Sequence, residues 1–194
     1  MIPLWPKLAY TAIVVAIVPV YYVYYGAANF LWFSDIALVV TAVALWTESR
    51  LLASMMAVAV LLPELLWNVS FFSRLLLRAR VSALADYMFD PAIPLWIRVL
   101  SLFHIPMPLV LVWMLARLGY DRRALVAQTA LAWVVFPLTY ALTDPKENIN
   151  WVFGPGGRPQ HRLPPRVYLG LLLIVFPLIV YVPTHLALSA LFGR

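Results

Sequence analysis

Residues 51–72 read LLASMMAVAVLLPELLWNVSFF, and this stretch decides the fold. As a helix rising about 1.5 Å per residue it is about 33 Å long, enough to cross a hydrocarbon core of about 30 Å. Its one ionisable residue is Glu64. A membrane strand would alternate in polarity over about ten residues, and this run neither alternates nor stops there. A helix is therefore predicted.

Working outward, apolar runs of similar character occupy 8–25, 29–46, 96–116, 124–143 and 167–192. Together the six runs predict an all-α polytopic membrane protein, a six-transmembrane-helix bundle forming a single domain over 1–194. Composition agrees. Hydrophobic residues are 64% of the 194, against roughly 45–50% in soluble domains. Charged residues are 11%, against about 25%. Mean hydropathy is +0.90. A soluble fold of this size cannot hide so much apolar surface. A soluble enzyme, a disordered chain and a nucleic-acid-binding domain are thereby excluded. The net charge of +6 comes from Lys and Arg placed between the runs, where they anchor to lipid headgroups. Membrane lipids are the expected partners, with a homo-oligomer compatible and no nucleic acid. Cysteine is absent, which excludes disulfides and a thiol nucleophile.

The start, Met1 to Tyr25, has the outline of a signal peptide, but it ends in Tyr21, Tyr22, Tyr24 and Tyr25. That is an interfacial belt, so no cleavage is expected. Gly26, Ala27 and Ala28 demand a tight hairpin between the first two helices. In the linker at 73–95, the stretch SRLLLRAR (73–80) reads as a short basic helix lying in the interface. The linker at 144–166 is too rich in Pro and Gly to be helical along its length. Pro19, Pro63, Pro106, Pro108, Pro137 and Pro177 fall inside the runs and predict kinks. Positive charge is distributed on both sides, so the sequence does not fix the orientation.

A charged group at membrane depth costs on the order of 2.5–3.5 kcal/mol, so the exceptions are informative. They are Ser34 and Asp35 in the second run, Glu64 and Asn68 in the third, His104 in the fourth and His185 in the last, with Asn29 opening the second. Asp35 lies about 9 Å from one end of its helix, and Glu64 and His104 about 12 Å from the matching ends of theirs. All three fall at one level on one side, beneath a loop carrying Asn148 and Asn150. This convergence predicts a polar site in which Asp35, Glu64 and His104 are neighbours. The plainer alternative is that the carboxyls are neutral and join helices by hydrogen bonds. Trp67 lies near this level and could wall a lipid-chain pocket.

Four stretches carry a resemblance: NFLWFSDIAL (29–38), AVLLPELLW (59–67), SLFHIPMP (101–108) and DPKENINWVFGPG (144–156). Over roughly 29–155 the chain resembles the bacterial YwaF-like integral membrane proteins, relatives of the androgen-induced hydrolases and the ether-lipid acyltransferases. The resemblance implies a bacterial cell-membrane protein that acts on acyl esters of lipids. It implies a hydroxyl or thiol nucleophile in the second helix and a histidine in the fourth. Ser34 stands where the acyltransferases have Cys and the hydrolases Thr, and His104 matches the histidine. With no cysteine here, thioester chemistry is excluded.

The residue chemistry is compatible. A serine hydroxyl needs a base, usually His, and a carboxylate such as Asp35 or Glu64 can orient that base. Asn68 or Asn148 could donate to an oxyanion, and Asn29, Trp67 and Asn150 would contact substrate. Two other functions stay open: a small proton-coupled transporter built on Asp35 and Glu64, and a non-catalytic lipid-binding or scaffold protein. Asp35, Glu64 and His104 could in principle ligate Zn or Mn. With a single histidine in the slab, no metal and no cofactor are expected.

Overall fold

The computed structural model describes residues 1–193. Eight α-helices follow in order: α1 Leu4–Tyr25, α2 Phe33–Thr47, α3 Arg50–Leu77, α4 Leu95–Leu100, α5 Pro106–Leu118, α6 Ala124–Leu142, α7 Pro165–Phe176 and α8 Val182–Phe192. No strand occurs among the described residues. α4 and α5 run on through a 3-10 turn, Ser101–His104, and α7 and α8 through a π turn, Pro177–Tyr181. Counted that way, five helical segments are long and apolar enough to cross a membrane: Leu4–Tyr25, Arg50–Leu77, Leu95–Leu118, Ala124–Leu142 and Pro165–Phe192. The chain thus has the make-up of a multi-pass membrane protein.

The second apolar run differs from its expected form. Only Phe33–Thr47 is α-helix, and Ala27–Leu31 forms a separate 3-10 turn. The break follows from Gly26 at φ 82 and from Trp32, whose extended backbone ends the 3-10 turn before α2 begins. The basic stretch at 73–80 differs too. α3 continues to Leu77, so Arg74 lies in its last turn, and Arg78 stops the helix in a left-handed conformation. No separate interfacial helix forms there. Prolines divide into two kinds. Pro19, Pro63 and Pro137 sit within continuous helices. Pro106 and Pro177 begin new segments, because a proline supplies no N–H to the preceding turn.

α3 is the axle of the bundle. It packs against α2, α5, α6 and α8, and its Ala53, Ala57 and Ala59 are buried. Such small residues let neighbouring backbones approach closely, which is how helices associate in lipid. Outward faces remain apolar: Val15, Val126, Ile174 and Leu186 are exposed. In water that would be an aggregation hazard; in hydrocarbon it is the required surface.

The bundle has two polar ends. At one, Lys7 pairs with Glu48 (2.8 Å), Arg50 donates to the Tyr120 carbonyl, and Ser54 Oγ accepts from the Asp121 amide (2.9 Å). Arg123 holds the Asp121 carboxyl below its usual range. At the other, the linker after α3 folds back along it. Arg74 and Arg80 clasp Asp86, Ser70 meets Ser82 (2.7 Å), and Trp67 and Phe71 pack with Ala85 and Met88. This end carries the site.

Candidate functional site

Glu64 and His104 meet in the interior. His104 Nδ1 lies 2.9 Å from Glu64 Oε1 and 2.8 Å from Oε2, with the residues 9% and 3% exposed. When Glu64 is ionised its carboxylate can only accept, and Nδ1 then carries the hydrogen and donates it. Nε2 then holds the lone pair, and it has no hydrogen-bond partner among the described residues. The chain earns this placement locally. The 3-10 turn Ser101–His104 interrupts the helix just before Pro106, and Asn68, one turn after Glu64, locks it down. Asn68 Nδ2 donates to the carbonyls of both Glu64 and His104, each at 2.8 Å. The imidazole stacks on Trp67 (centroids 4.6 Å) and Phe103 (4.1 Å). Trp67 is held in turn by its Nε1–H donating to Tyr87 Oη at 3.2 Å.

The pair opens onto a cavity of about 660 Å³. Its walls come from α2, α3, the 27–31 turn, the linker before α4 and the loop after α6. Ser34, Asp35, Glu64 and His104 all line it, together with Asn29, Trp67, Asn148 and Asn150. The expected convergence of Asp35, Glu64 and His104 on one chamber is therefore seen. Ser34 is half-buried in the first turn of α2. No hydrogen bond joins it to His104. Both residues line the same cavity, and neither the Ser34 hydroxyl nor His104 Nε2 has a hydrogen-bond partner among the described residues. Asp35 is 4% exposed; Oδ2 accepts from Asn29 Nδ2 (3.1 Å), while Oδ1 is buried without a hydrogen-bond partner among the described residues.

The asparagines serve mainly as struts. Asn150 Oδ1 accepts from the Phe33 amide at 3.1 Å, and its Nδ2 donates to the Leu31 carbonyl at 2.7 Å. This fixes the start of α2 beside the loop. Asn148 Nδ2 donates to the Gly154 and Gly156 carbonyls, and its Oδ1 accepts from the Phe153 amide. The amide hydrogens of Asn68 and Asn148 are thus engaged with backbone carbonyls, not held ready for an oxyanion, and Asn68 is not among the cavity-lining residues. Three residues of this loop, Asn148, Asn150 and Trp151, have positive φ of 44°, 50° and 59°. Asn accepts that conformation readily; Trp does so at a cost on the order of 1–3 kcal/mol. The network around Asn148 and Asn150 holds the strained loop against the cavity.

Replacing Asn150 by Ala strips the Phe33 amide of its partner inside the protein. A destabilisation of about 1–3 kcal/mol is expected, read as a fall in the thermal unfolding midpoint in detergent. An unchanged midpoint would show that the loop does not hold α2.

Tyr21, Tyr25 and Tyr87 also line the cavity. Burial pushes the Tyr87 phenol above its ordinary value, so it remains a proton-bearing group at neutral pH. Its linker has no periodicity that would point inward, and nothing in the sequence distinguishes it from an interfacial tyrosine. His185 lies apart, with Nδ1 2.7 Å from Tyr120 Oη at the opposite end. Among the described residues no three His, Cys, Asp or Glu side chains are grouped as metal ligands would be. Comparison with family models, with curated proteins and with solved structures finds no match to this chain.

Proposed function

We propose that this protein is an intramembrane lipid-acyl hydrolase or acyltransferase, in which His104 is the general base, Glu64 its orienting carboxylate and Ser34 the nucleophile. The observation that carries the reading is the buried Glu64–His104 pair, both residues of which line a largely apolar cavity together with Ser34. A carboxylate on Nδ1 sets the tautomer and stabilises the imidazolium that forms when Nε2 takes a proton. The proton taken is that of the Ser34 hydroxyl. The serine oxygen then bonds to the acyl carbon, and the proton passes to the departing alcohol. Water, or a second alcohol for transfer, repeats the sequence in reverse. The apolar walls suit an acyl chain. The motifs around Ser34 and His104 support the same reading through their resemblance to the YwaF-like proteins. In it, α2 completes a set of six spans, and the protein resides in a bacterial cell membrane.

The test is labelling with a fluorophosphonate probe in native membranes, which marks activated serines. Wild type is expected to label and Ser34→Ala to lose the label. Equal labelling of both, or of neither, overturns the assignment of Ser34.

A further inference from the structure

The cavity is electrostatically one-sided. The chain carries 14 Lys and Arg, yet among the described residues none of them lines this cavity. Its acidic residues are Asp35, Glu64 and Glu147. Glu64 is engaged by His104, and Glu147 is exposed on the loop. Asp35 is buried with a single hydrogen bond, from Asn29, and with Oδ1 unpartnered. A buried carboxylate so poorly compensated is costly unless a positive group comes near it. The same walls carry Tyr25, Trp32 and Trp151. Aromatic faces attract cations, Trp most strongly.

We infer that the cavity selects amphiphiles whose head is a cationic nitrogen, an ammonium or trimethylammonium, with Asp35 as the counter-charge and the aromatic rings as its surround. The inference rests on the reading of this cavity as the substrate site and names the substrate class. An anionic head would meet the acidic side chains there with no Lys or Arg to receive it, and the one histidine, His104, is already engaged by Glu64. The apolar remainder of the cavity takes the chain, so a free amine without a chain binds weakly.

Binding is measured by titration calorimetry on the purified protein in an uncharged maltoside detergent. The probes are dodecyltrimethylammonium, dodecyl sulfate, dodecanol and choline. The cationic probe is expected to bind at least about tenfold more tightly than dodecanol or dodecyl sulfate, and choline far more weakly. The net charge of +6 biases surface binding toward the sulfate, which makes the comparison stringent. Asp35→Asn is expected to weaken the cationic probe about tenfold and leave dodecanol unchanged. Equal or tighter binding of the sulfate or dodecanol to wild type overturns the inference, and it needs no variant to be read. Choline equal to the dodecyl probe also overturns it, since the chain would then play no part. Ser34→Ala is expected to keep the preference while losing turnover. If the preference holds but turnover does not depend on Ser34, the acyl-transfer reading alone fails.

Discussion

Glu64→Gln is expected to lower lipid-ester turnover by about 10²–10⁴-fold while the fold persists. The substitution keeps the shape of the side chain but removes its charge and half of its acceptor capacity. An amide NH₂ turned toward the imidazole would donate to Nδ1 and drive the ring hydrogen onto Nε2. The cavity would then face a donor where it now faces a lone pair. An amide oxygen turned inward would keep the tautomer but stabilise the imidazolium far less. His104→Ala is expected to produce a loss of similar size. The two act as one unit, so the double variant should be little worse than either alone. The measurement is kcat on a panel of lipid esters in detergent, with unfolding midpoints taken in parallel. Turnover within about threefold of wild type in Glu64→Gln would remove the pair from the mechanism. Losses that multiply in the double variant would show that the two residues act separately.

Gly154→Ala should carry the largest structural penalty of any single methyl added to the cavity loop. A Cβ there would lie 2.4 Å from the Gln160 amide nitrogen, 2.7 Å from the Arg158 carbonyl oxygen and 2.9 Å from the Pro159 carbonyl carbon. These are backbone atoms, and Gln160 N–H is itself bonded to the Phe153 carbonyl at 2.9 Å. The segment 158–160 passing over Gly154 must lift away, breaking the Gln160–Phe153 hydrogen bond. Overpacking of this kind costs about 3 kcal/mol or more when nothing flexible can yield. A fall of roughly 6–12 °C in the unfolding midpoint follows for a chain of this size. Gly157→Ala is the control. Its Cβ would meet nothing within 4 Å and its φ is not left-handed, so a change within about 0.5 kcal/mol is expected. Similar midpoints for the two variants would show that the loop is not closed over Gly154.

Much of this was legible beforehand, and the reasons are physical. Hydrocarbon thickness sets the length of a spanning helix, so the runs beginning near residues 8, 51, 124 and 167 map onto α1, α3, α6 and α7–α8 within a few residues. The cost of polar groups in lipid made Asp35, Glu64 and His104 conspicuous, and their matched depth anticipated their common chamber. What the sequence could not convey depends on turns rather than periodicity. The 3-10 turn at Ser101–His104 aims the imidazole at Glu64, and nothing in SLFHIPMP distinguishes it from a straight helix. The short α2 was hidden because the 3-10 turn at 27–31 is as apolar as the helix that follows. The engagement of Asn68 and Asn148 with backbone carbonyls is hidden for a related reason. An asparagine beside a site reads as a ligand contact until the unpaired backbone carbonyls near it are known. Tyr87 is held at the cavity by tertiary contacts, its bond from Trp67 and the pairing of neighbouring Asp86 with two arginines.

The unequal lengths of α2 and α3 have a consequence for the surrounding bilayer. At about 1.5 Å per residue, α2 extends about 22 Å and its neighbour α3 about 42 Å. If α2 is the sixth span, lipids flanking it meet a helix shorter than their own thickness, extended only by the apolar 27–31 turn, and any remaining mismatch is relieved by thinning. In that case the leaflet would dimple above the N-terminus of α2 and bring glycerol-level ester groups down toward Ser34. Host membranes with shorter acyl chains would then carry less of that deformation energy, and bilayer thickness would control how readily a lipid reaches the chamber.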